Sequence, residues 1–185
     1  MSGESNPDSV PQRFRSAPKP VRWAGAVTAL WLALILLFQI SAVFAAPGSD
    51  AFPVQCPADA QNCTRIASNP HRADGVEELL YNASPEALRS AVIAWAENQP
   101  RVRIVFDDGT EFHAVFYTAF MFFPDDFFFQ TYCTEDDKAG LKLHSESRLG
   151  VSDLGVNDVR VAELVAHLDK IEFELVDECN PAPVA

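Results

Sequence analysis

The sequence predicts an α+β domain, a curved antiparallel sheet of about five to six strands with two helices packed on one face. Two segments carry apolar residues at helical spacing. Between them, runs of aromatic and β-branched residues are separated by turn-forming Asp, Gly and Pro. The order of these elements is similar to that of helix-grip ligand-binding folds, which is an analogy of element order only.

The first 46 residues combine a polar segment with a long apolar one. Residues 1–22 are rich in Pro, Ser and Gly, so we expect a disordered cytoplasmic tail. Residues 23–46 contain no charge, and a helix of that length, at about 1.5 Å per residue, crosses a bilayer core. We predict a transmembrane anchor or uncleaved signal, because a cleaved signal has an apolar region of only about 7–15 residues. Cleavage after Ala45 is the alternative.

The charge distribution predicts the location of the chain. Basic residues precede the apolar span, whereas residues 47–185 carry about 14 more acidic than basic side chains. The positive-inside rule therefore predicts a single-pass inner-membrane protein with its carboxyl-terminal domain in the periplasm, or a protein secreted to the periplasm if the signal is cleaved. An acidic surface repels phosphate groups, so no nucleic-acid partner is expected.

The cysteines support export. All four follow the span, and an even number in an oxidising compartment predicts two disulfides. Among the three possible connectivities we favour Cys56–Cys63, a local loop, together with Cys133–Cys179, a link from a strand to the carboxyl-terminal tail. Neither a Cys-x-x-Cys motif nor a histidine pair at ligand spacing accompanies them, so we predict no metal and no cofactor.

The first part of the exported region is irregular. Residues 47–74 show no periodicity, which predicts a linker and a disulfide-clipped loop before a domain over residues 75–179 and a tail over 180–185. We predict a first strand over residues 76–81. A helix follows, capped by Ser84 and ended by Pro100.

The remainder is predicted to be a sheet and a final helix. Five strands are expected, over residues 101–106, 110–116, 119–123, 127–133 and 141–148. The first pair flanks Asp107-Asp108-Gly109, a strong hairpin signal. A second turn is predicted at Pro124-Asp125-Asp126. The closing helix is predicted to start with Asn157 as its cap and to run to about Val176.

An aromatic band lies in the middle of the sheet. Alternation predicts that one strand face carries Phe112, Phe116, Phe120 and Phe122. A plain core with a covered back face accounts for such a band. The functional alternative is an apolar pocket for a lipid or another hydrophobic small molecule, because a second apolar sheet face must be covered by something.

Polar residues around the last strand are predicted to converge. The candidate binding residues are Asp125, Asp126, Arg148, Ser152, Asp153, Asn157 and Arg160. Carboxylates and guanidinium groups buried together would form ion pairs that lock the loop, while Asp153 and Asn157 bind backbone amides, which is a structural role. The catalytic alternative is a serine-type hydrolase that uses Ser152, His144 and Asp153, although residues 150–155 miss the nucleophile-elbow spacing by one residue.

Three motifs resemble one bacterial family. They are Cys56-Pro57 with Asn62-Cys63, Phe123 to Phe127 around Asp125-Asp126, and Ser145-x-Ser147-Arg148-x-Gly150-x-Ser152-Asp153-Leu154-Gly155-x-Asn157-x-x-Arg160. From Cys56 to about Leu168 the chain is similar to the domain of unknown function 1499. The resemblance implies a single exported or membrane-tethered domain, and it implies no catalytic residue.

Together these features predict a membrane-anchored cell-envelope domain that is not an enzyme. Its expected role is a binding or interaction module for an apolar ligand or a membrane-protein partner, with the membrane contacted through residues 23–46. The hydrolase centred on Ser152 is the alternative.

Overall fold

The computed structural model describes residues 19–48, 51–150 and 152–174. Its elements are α1 (Lys19–Phe44), β1 (Cys63–Ile66), β2 (Leu79–Tyr81), α2 (Pro85–Glu97), β3 (Val102–Asp107), β4 (Phe112–Tyr117), β5 (Pro124–Cys133), β6 (Ala139–Ser147) and α3 (Val156–Leu168). The chain divides into two compact units, and the second begins at Leu37. The last turns of α1 therefore belong with the domain that follows.

The apolar helix predicted near the amino end is present. Within α1, Pro20–Phe44 reaches a mean hydropathy of 2.3, and little of that segment is buried. By length and composition it suits a membrane span or a signal sequence.

Six strands form one antiparallel sheet, which confirms the predicted α+β fold. The order is β1-β6-β5-β4-β3, and β2 pairs with the other end of β6. The long strands β5 and β6 pair over nine residue positions and form the centre. The helices α2 and α3 contact each other and the sheet.

One strand was missed by the sequence analysis. The segment Cys63–Ile66 lies within residues 47–74, which were predicted to be a linker and loop, yet it pairs with β6 over four positions. With only four residues, all buried, it shows no alternation that a periodicity argument can detect. The predicted first strand is confirmed in a shorter form, Leu79–Tyr81.

The predicted helix and hairpin after it are confirmed. Ser84 is the cap of α2, where its Oγ accepts the backbone N–H of Ala87 at 3.1 Å, and Pro85 is the first helical residue. The strands β3 and β4 flank a turn at Asp108, whose carboxylate accepts the N–H groups of Thr110 and Glu111.

The predicted strand over 119–123 and the turn at Pro124-Asp125-Asp126 are wrong. Residues 118–123 form the loop between β4 and β5, closed by a bond from Thr118 N to Phe123 O of 3.1 Å. β5 begins at Pro124, and a proline is tolerated as the first residue of a strand. Both aspartates lie inside the strand, where ion pairs satisfy their carboxylates.

The boundaries of the closing helix also differ from the prediction. α3 begins after Gly155, which has a left-handed φ of 83°. The N-cap position is Gly155, and Asn157 is a buried residue of the first turn rather than the cap. Asp153, two residues before Gly155, binds the start of the helix by accepting the N–H groups of Gly155 and Asn157. The helix ends at Leu168, and the chain then turns so that Ile171 and Phe173 pack on the core in a non-helical conformation. Val176 lies outside the described residues.

The core lies between the helices and one face of the sheet. This helix face carries Phe112, Phe116, Phe127, Phe129, Leu141 and Leu143, which pack against Leu88, Val92, Trp95, Val161, Leu164 and Leu168. The opposite, back face is buried as well, with His113, Val115, Phe128 and His144 almost inaccessible. Phe52 covers part of it by packing on Arg65 and His144.

The predicted Cys56–Cys63 disulfide is confirmed, with the two Cα atoms 5.9 Å apart. It joins the segment before β1 to the strand itself. Cys133 is also disulfide-bonded. Its predicted partner, Cys179, lies outside the described residues.

Candidate functional site

The predicted polar residues divide between the two faces of the sheet. Asp125 and Asp126 are neighbours in β5, so their side chains point to opposite faces. Asp125 joins a helix-face cluster, which consists of Asp125, Ser145, Ser147, Asn157 and Arg160. Asp126 joins a back-face cluster, which consists of His113, Asp126 and Arg148.

The helix-face cluster is centred on an ion pair. Arg160 Nη2 lies 2.7 Å from Asp125 Oδ2, and both side chains are buried. Arg160 Nη1 donates to Ser145 Oγ at 2.9 Å, and Ser147 Oγ donates to Asp125 Oδ1. The guanidinium carbon also lies 4.6 Å from the ring centre of Phe116. The pair is therefore satisfied on several sides, as a buried ion pair must be.

Asn157 connects this cluster to the start of α3. Its Nδ2 donates to Asp153 Oδ2 at 2.7 Å and to the backbone oxygen of Asn62 at 3.0 Å, and its Oδ1 accepts from Ser145 Oγ. Burial alone would raise the pKa of the Asp153 carboxyl. The bonds from the N–H groups of Asn157 and Gly155 outweigh that effect and lower the pKa below its usual value.

The back-face cluster is a buried chain of three groups. Arg148 binds both oxygens of Asp126 at 2.7 Å, and His113 Nε2 donates to Asp126 Oδ1 at 2.6 Å. Burial raises the pKa of Asp126, but the bonds and charges of Arg148 and His113 prevail and lower it overall. The His113 ring stacks on Phe128 with centroids 4.1 Å apart.

Five of the seven candidate binding residues therefore lie in these two clusters, and a sixth, Asp153, binds the start of α3. Ser152 belongs to neither cluster and is exposed, and its Oγ accepts the N–H of Leu154 at 3.4 Å. It lines one depression with Asp125 and Asp153. The ion pairs within the two clusters and the bonds of Asp153 to the start of α3 therefore give these charged residues a structural role. Ligand binding by these residues stays a prediction.

The contacts of the described residues do not assemble the Ser152–His144–Asp153 arrangement. His144 lies on the back face, where Nε2 contacts Glu146 at 3.0 Å and Nδ1 accepts from Arg65 at 3.3 Å. The Asp153 carboxylate is bound to the first turn of α3 rather than to an imidazole. Each proposed member thus has other partners.

One group of side chains has the composition of a metal site. Ligand atoms of Cys56, Cys63 and His144 lie within 4.8 Å of one another. The two sulfurs are joined in a disulfide, however, so they are not available as the thiolates that a metal requires.

The predicted apolar pocket is not formed by its four phenylalanines. Phe112 and Phe116 are in the core on β4, whereas Phe120 and Phe122 lie in the β4–β5 loop and are 70 % and 41 % exposed. The grouping assumed a strand over 119–123, which does not exist. Sequence reasoning also missed Leu154, which is 96 % exposed on the loop before α3.

A cleft opens beside these exposed residues. It has a volume of about 360 Å³ and lies between the end of α2, the end of β4 and the start of α3. Trp95 and Phe116, with ring centroids 6.0 Å apart, form its floor. The remaining lining includes Arg101, Tyr117, Ala119, Leu154, Val156, Val159, Arg160 and Glu163. We call it the α3 cleft.

Residues 54–168 match a family whose description is "Protein of unknown function (DUF1499)". The match includes the disulfide, all six strands, α2 and α3. No curated protein matches the chain.

Proposed function

We propose that this chain, which belongs to the DUF1499 family of proteins of unknown function, is a membrane-anchored cell-envelope protein whose exported domain binds an apolar small molecule without catalysis. In this proposal α1 is retained as a single-pass anchor, and the domain faces the periplasm. The observation that carries the binding function is the α3 cleft, a depression lined mainly by apolar side chains together with the charged residues Arg101, Arg160 and Glu163.

The composition of the cleft favours a hydrophobic occupant. Its floor is aromatic, and Val156, Val159 and Leu154 on its α3 side are 38 %, 56 % and 96 % exposed. Apolar side chains grouped in this way on a surface mark sites at which a ligand or partner removes them from water. A concave shape with few polar groups is the usual form of a small-molecule site.

The charged residues in the lining suggest that the ligand also has a polar or anionic group. Arg101 is exposed, and its Nε donates to the backbone oxygen of Tyr117 at 3.0 Å, which holds the guanidinium at the mouth. Arg160 is already paired with Asp125, so Arg101 is the cation with room for a ligand. The arrangement suits an amphiphile with an apolar body and an anionic or polar head.

Two further features support this proposal over a catalytic one. The carboxylates and guanidinium groups of the two polar clusters are bound to one another, and the Asp153 carboxylate is bound to backbone amides. The disulfide between Cys56 and Cys63 suits an oxidising compartment and therefore an exported domain.

A photoreactive fatty acid tests the proposal in membranes that contain the full chain. We expect cross-links to peptides that line the α3 cleft. Val159→Glu places a charge in the cleft and should reduce the labelling about tenfold, which corresponds to about 1.4 kcal/mol of binding free energy. Val105→Glu is the matched control, because Val105 is similarly exposed but lies on the edge strand β3. Equal labelling of both variants would contradict binding in the cleft.

A further inference from the structure

We infer that the β4–β5 loop, residues 118–123, and Leu154 form a membrane-insertion face that enters the outer leaflet beside the end of α1. This inference rests on the membrane anchoring proposed above. Three observations carry it: contacts between the loop and the last turns of α1, the backbone conformation of two exposed apolar residues, and the absence of charge in the loop.

The loop contacts α1 directly. Gln39 Nε2 donates to the backbone oxygen of Phe122 at 2.5 Å, and the Phe38 ring meets the Phe123 ring edge-on with centroids 5.0 Å apart. All four residues belong to the second compact unit. Gln39 lies five residues before the end of α1, which corresponds to about 7.5 Å along the helix axis. The loop therefore lies level with the last turns of the apolar helix rather than beyond its end, and with α1 as the membrane span this level is that of the lipid.

The Gln39 contact also explains a polar residue in the span. An amide without a partner is unfavourable in a hydrocarbon environment, where water does not replace the missing bond. The carbonyl of Phe122 has the same requirement if its loop enters the membrane. The bond between them gives the Phe122 carbonyl a donor and uses one N–H of the Gln39 amide, which lowers the cost of insertion at this depth.

Leu154 belongs to this face because it lines one depression together with Phe38 and the loop residues Phe120 and Met121. Two apolar residues on this face have an unfavourable backbone. Phe122 and Leu154 have φ angles of 55° and 57°, in the left-handed region that is disfavoured for bulky side chains. The other non-glycine residues with positive φ among those described are Asp, Asn or Arg. Both apolar residues are also exposed, at 41 % and 96 %. Burial of these side chains in lipid would remove their apolar surface from water, and this gain would offset the cost of the left-handed backbone.

The loop has the composition of an interfacial anchor. Its sequence is Thr-Ala-Phe-Met-Phe-Phe, without charge, in an exported region that carries about 14 more acidic than basic residues. Aromatic side chains favour the membrane–water interface. In the proposed anchored protein, the contacts of Phe38 and Gln39 keep this loop at the end of the span, so lipid is the occupant that it meets at the highest effective concentration.

Tryptophan quenching by brominated phospholipid tests this inference. The full chain, with Trp23 and Trp31 changed to Phe, is reconstituted in phosphatidylcholine nanodiscs and carries either Leu154→Trp or Glu135→Trp. Both variants keep the nearly buried Trp95, so the emission of the chain that contains Trp95 alone is subtracted. Glu135 is the matched control, because it is exposed in the β5–β6 turn at the opposite end of β5. We expect a blue-shifted emission and a loss of fluorescence in brominated lipid for Leu154→Trp only.

The other outcomes separate this inference from the proposed function. Equal quenching of both variants in a chain that remains embedded would overturn insertion and leave the anchor intact. A chain found outside the nanodisc would overturn both the insertion and the membrane anchor.

Adding Val159→Glu distinguishes bulk lipid from a lipid held in the α3 cleft. Quenching that persists supports insertion, whereas quenching that disappears assigns the contact to the cleft and overturns insertion.

Discussion

Arg160 of α3 and Asp125 of β5 form a buried ion pair, with Nη2 and Oδ2 2.7 Å apart, that joins the closing helix to the centre of the sheet. The same carboxylate accepts a bond from Ser147. The pair therefore lies where three sequence-distant segments meet, and its loss leaves a charge without a partner in the interior.

Arg160→Met should lower the free energy of unfolding by about 3–5 kcal/mol, because Asp125 is then buried and unpaired. Denaturant titration of the purified chain measures this change. Arg103→Met is the control, since Arg103 is exposed on the edge strand β3 and its replacement should cost less than about 1 kcal/mol. Similar losses in both variants would contradict the central role of the Asp125–Arg160 pair.

Stability should decrease in acid because of Asp126. Its pKa in the folded state is lowered, so the ionised carboxylate stabilises the fold above the unfolded pKa of about 3.9. That contribution is lost as the pH falls through the folded pKa. The free energy of unfolding of the wild-type chain should therefore fall between about pH 5 and pH 2.

Asp126→Asn is the comparison for this pH dependence. The variant should be less stable at neutral pH and show a smaller fall in acid. Part of the fall should persist, because the pKa of Asp153 is lowered as well. Parallel pH profiles of the two proteins would show that Asp126 does not contribute as described.

The bonds between Asp153 and the start of α3 provide a third prediction. Asp153→Ala removes the acceptor of the Gly155 and Asn157 N–H groups and should cost about 1–2 kcal/mol of stability. Asp153→Asn keeps one acceptor oxygen and should cost less. Thermal unfolding of both variants measures the difference. Equal and small losses of stability in Asp153→Ala and Asp153→Asn would show that Asp153 does not stabilise the start of α3.

Ser152 should not react with a serine-directed fluorophosphonate probe. Its hydroxyl accepts the N–H of Leu154, while His144 binds Glu146 and Arg65 on the back face. Intact-mass analysis of the treated chain should show no adduct. An adduct that disappears in Ser152→Ala would favour the hydrolase instead.

The sequence predicted the fold class because its strongest local signals agree with the structure. Ser84-Pro85 starts α2, and Asp107-Asp108-Gly109 marks the β3–β4 hairpin. The convergence of Asp125, Asn157 and Arg160 was also predictable, because charged residues in apolar surroundings need partners. The division of Asp125 and Asp126 between the two sheet faces was not predictable, because both were assigned to a turn rather than to β5.

Two of the errors, at Pro124-Asp125-Asp126 and at Asn157, arise because tertiary contacts override local propensity. Pro124-Asp125-Asp126 has turn composition, but Arg148 and Arg160 satisfy the two carboxylates and permit a strand. Asn157 has cap composition, yet Asp153 is better placed to bind the first N–H groups of α3. Leu154 carries no periodic signal, so its exposure becomes visible only in the folded chain.

Native mass spectrometry of the full chain, extracted from membranes in detergent and compared with its denatured mass, tests the central claim most directly. If the chain carries an apolar molecule, the native spectrum should contain an extra mass that is lost on denaturation. The spectrum of Val159→Glu should lack this extra mass. Identical native and denatured masses for the wild-type chain, with both proteins correctly folded, would contradict a ligand-binding role for the α3 cleft.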